Sequence, residues 1–168
     1  KFHNIQQQIE QQNLIKDEQR TRLLEVLKNR IESLRQLSEL ASVYGVGDNS
    51  RFYGKFQEHI QLSKNKNQEL MNDIIEVADL LHNGVISFLR ENYASLTKHE
   101  LCYCGFIALG FSPESIRVLY NHTNINSIYT TRGKIRSILS LNAAYRDLEA
   151  YILELSEKLD QRRSHNAL

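Results

Sequence analysis

Residues 2–44 contain neither glycine nor proline, the two residues that most often interrupt a helix. Gln, Glu, Leu, Lys and Arg dominate this segment, and all of them favour helix. Its apolar residues recur three or four positions apart, at Phe2, Ile5 and Ile9 and again at Leu24, Leu27, Ile31 and Leu34. Because this is the spacing of one helix face or of a coiled-coil seam, we predict one long helix.

The two halves of this helix differ in polarity. The first half is rich in glutamine and too polar to anchor a core, so we expect it to form an extended stalk. The second half has a wider apolar stripe, which also includes Leu23, Leu37, Leu40 and Tyr44. Two interpretations stay open, since seam and core patterns look alike: the long helices pair in a homodimer, or each is the first helix of a monomeric bundle.

The middle of the chain is predicted to be helical up to residue 92. We expect a break at Gly45–Ser50, then a short helix with Phe52, Phe56 and Ile60 on one face, and a polar turn at Lys64–Asn67. A longer helix is predicted over Gln68–Asn92, in which Gly84 weakens the helix enough to allow a bend. Its core-facing residues are Leu70, Ile74, Ala78, Leu81, Val85, Phe88 and Leu89.

A local signal marks the start of the next helix at Thr97. Thr97 and Glu100 have the spacing of a capping box, in which the side chain of each residue accepts a hydrogen bond from the backbone N–H of the other. We therefore predict a helix from about Lys98 to Leu109, ended by Gly110.

Two more helices are predicted before residue 140. Ser112-Pro113-Glu114 combines an N-cap, a first-turn proline and an acidic residue, and it predicts a helix to about Tyr120. A polar link, Asn121–Asn124, leads to a third helix that begins near Asn124 or Asn126. Its inward face is predicted to be Ile128, Ile135, Ile138 and Leu139. Two helices joined by a short polar turn and preceded by another form a helix-turn-helix.

The chain after Asn142 carries another amphipathic pattern. Counted from Leu141, just before this segment, its apolar residues are alternately four and three positions apart. They are Leu141, Tyr145, Leu148, Ile152, Leu155 and Leu159. This heptad seam either lies across the helical bundle or pairs with a second subunit. The last residues, Gln161–Leu168, are expected to fray.

The third helix of the helix-turn-helix concentrates positive charge. It holds three basic residues and no acidic one. Basic side chains and hydroxyl groups suit phosphates, and short polar side chains reach base edges in the major groove. The candidate DNA contacts are therefore Asn126, Ser127, Thr130, Thr131, Arg132, Lys134 and Arg136. The alternative is a solvated basic face, and burial of Arg132 and Arg136 would count against DNA contact.

The phrases LTKHEL, IALGFSPESI and SIYTTRGKIRSIL resemble the LuxR/NarL-type C-terminal effector domain, in the variant carried by sensor-like regulators of the Bacteroidetes. The similarity covers roughly 45 residues, and the preceding long helix and the FYGKF…DIIEVADLL region are similar to the helical linker of such proteins. The resemblance implies a dimeric regulator that binds double-stranded DNA through the third helix. The sequence departs from the family in a longer link at Asn121–Asn124 and in Ile138, where a lysine is common.

A rival interpretation gives the chain a different class of function. The formal net charge is only +1, and the chain has two long seams. These features suit a protein-interaction or coiled-coil scaffold whose degenerate helix-turn-helix binds another protein rather than DNA.

No motif of an enzyme or of a cofactor site occurs in the sequence. G-x-S-x-G, P-loop and dinucleotide-binding fingerprints are absent. His99, Cys102 and Cys104 could suggest a metal, but Cys102 and Cys104 point apart on a helix and no second ligand pair has suitable spacing. No run approaches the roughly 20 apolar residues of a membrane span. We predict no catalytic residue, no metal and no cofactor.

The overall expectation is an all-α protein with a long coiled-coil-like N-terminal helix. We divide the chain into a helical stalk and linker bundle over 1–92, a helix-turn-helix over 93–142 and a closing amphipathic helix with a frayed tail over 143–168. Since the chain begins at Lys1 and its only methionine is Met71, we expect a fragment of a longer protein, and an upstream sensor or membrane anchor would lie outside this sequence. A cytoplasmic location follows from the DNA-binding expectation.

Overall fold

The computed structural model describes residues 2–44, 54, 58, 68–141 and 147–166. Its helices are α1 (Phe2–Tyr44), α2 (Gln68–Leu81), α3 (Val85–Asn92), α4 (Lys98–Ala108), α5 (Pro113–Leu119), α6 (Asn126–Ile138) and α7 (Leu148–Asn166). These described residues contain no strand, so the fold is all-α. The predictions for Gly45–Ser50, for the short helix with Phe52, Phe56 and Ile60, for Lys64–Asn67 and for Tyr145 lie outside the described residues.

The chain forms two compact units, Lys1–Leu34 and Arg35–Leu168, and their boundary falls inside α1. In the first unit every described side chain from Asn4 to Leu23 is exposed. The long helix predicted from the absence of glycine and proline is confirmed. The exposed side chains of this half are mostly polar, as its glutamine-rich sequence predicts.

The second unit is built around α4. Every residue of α4 from Glu100 to Ala108 is buried, because α2, α3 and α7 all pack against this helix. The buried aliphatic residues of these three helices include Ile74 and Ala78 of α2, Leu89 of α3 and Ile152 of α7. A helix covered on several sides needs no polar face, and α4 accordingly has apolar residues all round.

The predicted helix over Gln68–Asn92 is wrong in one respect, since it is interrupted at residues 82–84. Asn83 and Gly84 both adopt left-handed backbone conformations there, with φ of +60° and +81°. Asp79 closes the turn, because its carboxylate accepts hydrogen bonds from the backbone N–H of Ser87 at 2.8 Å and from the Ser87 hydroxyl. Gly84 thus separates two helices rather than bending one.

The helix predicted after residue 142 lies across the bundle. Leu148, Ile152 and Leu155 of α7 are buried, and α7 packs against α3 and α4. Of the two alternatives, the structure shows packing within the chain. The prediction that Gln161–Leu168 frays is wrong for its first part, because α7 continues to Asn166.

Candidate nucleic-acid interface

Helices α4, α5 and α6 begin where the local signals predict. The Thr97 hydroxyl accepts the Glu100 N–H at 3.3 Å, and the Glu100 carboxylate accepts the Thr97 N–H at 2.8 Å, which completes the capping box. The Ser112 hydroxyl accepts the Ser115 N–H at 3.2 Å, with Pro113 in the first turn of α5. The start of α6 is set by Asn124, whose side-chain oxygen accepts the Asn126 N–H at 2.9 Å.

Helix α6 is fixed to the rest of the unit by its isoleucines. Ile128 and Ile135 are buried, and Leu139 just beyond the helix is also buried. Ile138, predicted to face inward, is only half-buried. Helices α5 and α6 contact each other, and Arg117 of α5 donates a hydrogen bond to the His122 carbonyl at 3.0 Å, which stabilises the connection between them.

The opposite face of α6 is open to solvent. Its exposed residues recur at three- and four-residue spacing and share one side of the helix, and they are Asn126, Tyr129, Thr130, Gly133, Lys134 and Ser137. None of them is acidic, and Tyr129 is the one large side chain with an apolar ring among them. Of the seven predicted contact residues, Asn126, Thr130 and Lys134 are therefore on this face, which we call the outward face.

The other four predicted contact residues are half-buried beside this face, and they are Ser127, Thr131, Arg132 and Arg136. The Thr130 and Thr131 hydroxyls donate to the carbonyls of Asn126 and Ser127, at 2.9 Å and 3.1 Å. Back-bonding of this kind uses the hydroxyl proton within the helix and leaves the oxygen as an acceptor.

Arg132 is held by two carboxylates at the start of α7. Its Nη2 atom donates to Asp147 Oδ1 at 2.5 Å and also to Glu149 Oε2. Its side chain is only 19% exposed, against 55% for Asp147. In this conformation Arg132 is not free to contact a phosphate, which weighs against a direct role for it in DNA binding.

The two carboxylates influence each other as well as Arg132. A hydrogen bond with Glu149, followed by the charges of Arg132 and Arg136, lowers the pKa of Asp147 despite partial burial. Burial and the same hydrogen bond raise the pKa of Glu149, although Arg132 opposes this rise. Asp147 therefore stays ionised to a lower pH than Glu149 does, and the charges of both Arg132 and Arg136 favour its ionised form.

Lys134 forms a different ion pair, with Glu100 of α4. The Lys134 ammonium donates to Glu100 Oε1 at 2.7 Å, and the Lys134 side chain is 61% exposed while that of Glu100 is 5% exposed. Burial alone would raise the pKa of Glu100, but hydrogen bonds from Lys134 and Thr97 bring it below the ordinary value. Lys134 therefore connects the capping box of α4 to the outward face of α6.

Sequence reasoning missed two parts of this site. Tyr129, Gly133 and Ser137 share the outward face, and the helical spacing of the exposed positions could have identified them. Asp147 and Glu149 could not be found in this way, because they lie at the start of another helix and meet Arg132 only through the packing of α7.

The cysteines of α4 are part of the core. Burial raises the pKa of both thiols to about 12, which keeps Cys102 and Cys104 protonated at neutral pH. Among the described residues, no group of three or more His, Cys, Asp and Glu side chains could hold a metal ion. No helix in the described part of the chain has the length and apolar character needed to cross a membrane.

No protein-family model, curated protein or solved structure matches this chain. The resemblance to the LuxR/NarL-type effector domain consequently depends on the quoted sequence motifs alone.

Proposed function

We propose that this chain is a DNA-binding transcriptional regulator, the output part of a larger sensor-like protein, and that it binds duplex DNA as a dimer through α6. The observation that carries the proposal is the outward face of α6. It is exposed, lacks acidic residues and presents an amide, hydroxyl groups and an ammonium group through Asn126, Thr130, Lys134 and Ser137. These groups can bind base edges and phosphates when a helix enters the major groove.

Gly133 supports close approach of a partner to this face. It lies in the middle of α6, where glycine costs about 1 kcal/mol relative to alanine. A Cβ atom at Gly133 would meet no atom within 4 Å, so packing within the chain does not require glycine there. Because Gly133 has no side chain, the helix backbone between Thr130 and Ser137 could approach a DNA strand closely.

The second half of α1 offers a surface for the proposed dimer. Leu23 and Val26 of the first unit are three positions apart, as the two seam positions of a heptad are, and so are Leu37 and Leu40 of the second unit; each of the four side chains is between 43% and 58% exposed. A parallel stripe one residue further along, beginning at Leu24 and Leu27, is half-buried. The exposed stripe is therefore available to a second copy of the chain, and a dimer could present two α6 helices to half-sites about 34 Å apart.

Fluorescence anisotropy with a generic duplex tests the proposal. We expect binding at about 50 mM salt that weakens steeply by about 200 mM, because phosphate neutralisation releases counterions. Lys134→Gln should weaken binding by about tenfold and lower the salt slope by about one. Lys158→Gln is the matched control, since Lys158 of α7 is similarly exposed and also forms an ion pair, with Glu154. Equal effects of the two substitutions would overturn the assignment of α6, and so would absence of binding by both the wild-type chain and a variant in which the acidic groups beside α6 are neutralised, Asp147→Asn with Glu149→Gln.

A second candidate function is protein binding by a helix-turn-helix that does not bind DNA. The pairing of Arg132 and Lys134 with carboxylates of the same chain favours it, because these pairs leave little free positive charge on α6. The exposed ring of Tyr129 would then be the natural centre of a protein interface. Tyr129→Ala should disrupt such a complex.

The DNA-binding proposal implies a cytoplasmic location, either for a free protein or for the cytoplasmic part of a membrane-anchored one.

A further inference from the structure

The start of α7 places two carboxylates against the basic side of α6. Asp147 and Glu149 both accept hydrogen bonds from Arg132 Nη2. A guanidinium group held by two carboxylate oxygens has the same kind of partners that a DNA phosphate would offer it. The pair therefore satisfies Arg132 with groups of the chain itself.

These carboxylates are fixed in position by the core. Leu148, between them in sequence, is fully buried, and so is Ile152 one turn later. The Asp147 carbonyl accepts the Tyr151 N–H at 3.1 Å, so Asp147 begins the first turn of α7. Arg132 is thus held by a packed helix start rather than by a free loop.

The outward face of α6 stays exposed while Arg132 is held. Asn126, Thr130 and Lys134 remain open on that face, whereas Arg132 lies beside it and is only 19% exposed. A DNA strand following this side of α6 would meet the 55% exposed carboxylate of Asp147 next to the paired guanidinium. Binding there must displace one ion pair and overcome repulsion by an anion.

We propose that Asp147 and Glu149 are an autoinhibitory contact: they occupy Arg132 in place of a DNA phosphate and lower the affinity of α6 for DNA. This inference rests on the proposed DNA-binding function. DNA binding and the contact between α7 and α6 compete for the same guanidinium group. Whatever moves the start of α7 away from Arg132 raises DNA affinity by the same competition.

The test compares two double variants of the chain. Asp147→Asn with Glu149→Gln removes both charges at Arg132 and keeps side chains of the same size that can still accept hydrogen bonds. Glu157→Gln with Asp160→Asn removes the same charge from exposed positions of α7, which controls for the change in net charge. In anisotropy titrations with duplex DNA at about 50 mM salt, the first variant should bind roughly tenfold more tightly than the control variant.

A measurement without DNA follows Arg132 directly. In ¹⁵N NMR of the guanidinium groups, the Arg132 signal should show restricted rotation in the wild type and in the control variant. It should show faster rotation in Asp147→Asn with Glu149→Gln. Equal behaviour in all three proteins would overturn the contact on which the inference depends.

The outcomes separate the two proposals. Absence of DNA binding by all three proteins overturns the DNA-binding function. Binding by the wild type, with equal affinities for the two double variants, overturns autoinhibition alone. Binding that appears only when Asp147 and Glu149 are neutralised supports both proposals.

Discussion

Ser140 adopts a left-handed backbone conformation with φ of +53° at the end of α6. The Leu141 N–H donates to the Arg136 carbonyl and the Ser140 N–H to the Ser137 carbonyl, at 3.0 Å and 3.1 Å, which is the Schellman arrangement. Gly110 after α4 and Asn121 after α5 occupy the same position, with φ of +82° and +54°. Serine is the least suited of the three, since only glycine, asparagine and aspartate visit this region routinely.

Ser140→Gly should therefore stabilise the protein by about 0.5–1 kcal/mol, because relief of the left-handed strain exceeds the entropy cost of glycine. Urea denaturation followed by circular dichroism measures the change. Ser137→Gly is the control, since Ser137 is exposed within α6, and it should destabilise the protein by about 0.5 kcal/mol. Equal effects of the two substitutions would show that strain at Ser140 contributes nothing.

The same comparison explains which helix ends could be predicted. Gly110 marked the end of the α4 helix in the sequence because glycine is the usual residue there. The left-handed Ser140 could not be predicted, since a serine carries no such signal.

Helices α4 and α6 each contain one glycine, and the two glycines have different surroundings. A Cβ atom at Gly105 of α4 would lie 3.1 Å from Ile74 Cγ2 and 3.5 Å from Ala78 Cβ, both in the core of α2. At Gly133 of α6 it would meet nothing within 4 Å. Only Gly105 is thus required for helices to approach each other.

Alanine substitutions at these glycines should have opposite effects. Gly133→Ala should stabilise the protein by about 1 kcal/mol through helix propensity. Gly105→Ala gains the same propensity but forces α2 and α4 apart, and we expect a net loss of about 1 kcal/mol. Urea denaturation of both variants at one protein concentration tests this. A stabilised Gly105→Ala variant would mean that Ile74 can move aside at little cost.

The capping box of α4 makes stability depend on pH. The pKa of Glu100 is lowered in the folded chain from its ordinary value of 4.5, so the stabilisation by its ionised form is fully present above that value and is lost as pH falls through the folded value. Glu100→Gln keeps a side-chain oxygen for the Thr97 N–H but loses the charge opposite Lys134. It should cost about 1 kcal/mol at pH 7, and the difference from the wild type should shrink as the pH falls through the lowered pKa of Glu100.

Urea denaturation at several pH values measures this loss. Glu114→Gln is the control, because Glu114 pairs with Arg117 at 3.0 Å but is 54% exposed, and its substitution should change stability less. A constant difference between Glu100→Gln and the wild type at all pH values would contradict a role for the charge.

At the level of elements, prediction from the sequence succeeded where the signal was local. The capping box at Thr97 and the Ser112-Pro113 start involve residues within one turn, so the bounds of α4 and α5 followed from them. The break at residues 82–84 was underestimated, because the role of Asp79 in closing that turn depends on contacts eight residues along the chain. The ion pair of Arg132 with the residues at the start of α7 depends on tertiary packing, so the local sequence around Arg132 does not predict it.

For the whole molecule, the sequence left open which seams face a partner. The two helical seams turn out to differ in burial. Leu148, Ile152 and Leu155 of α7 are used within the chain, whereas Leu23 and Val26 of α1 are exposed. Both patterns have heptad spacing, so only burial distinguishes them. The exposed seam of α1 is therefore where self-association is expected.

Leu23→Glu tests this expectation, because it places a charge in the seam of the proposed dimer. Burial of a leucine contributes roughly 1.5–3 kcal/mol, and a symmetric dimer contains the residue twice. The dissociation constant of the dimer should therefore rise at least about a hundredfold. Leu14→Glu is the matched control, since Leu14 is 67% exposed on the same helix but lies nine residues before Leu23, which is two positions out of heptad register with it. Light scattering over a concentration series measures the mass of both variants. A monomeric wild type, or equal loss of dimer in the two variants, would exclude pairing through this seam, and DNA recognition would then depend on a single α6 helix.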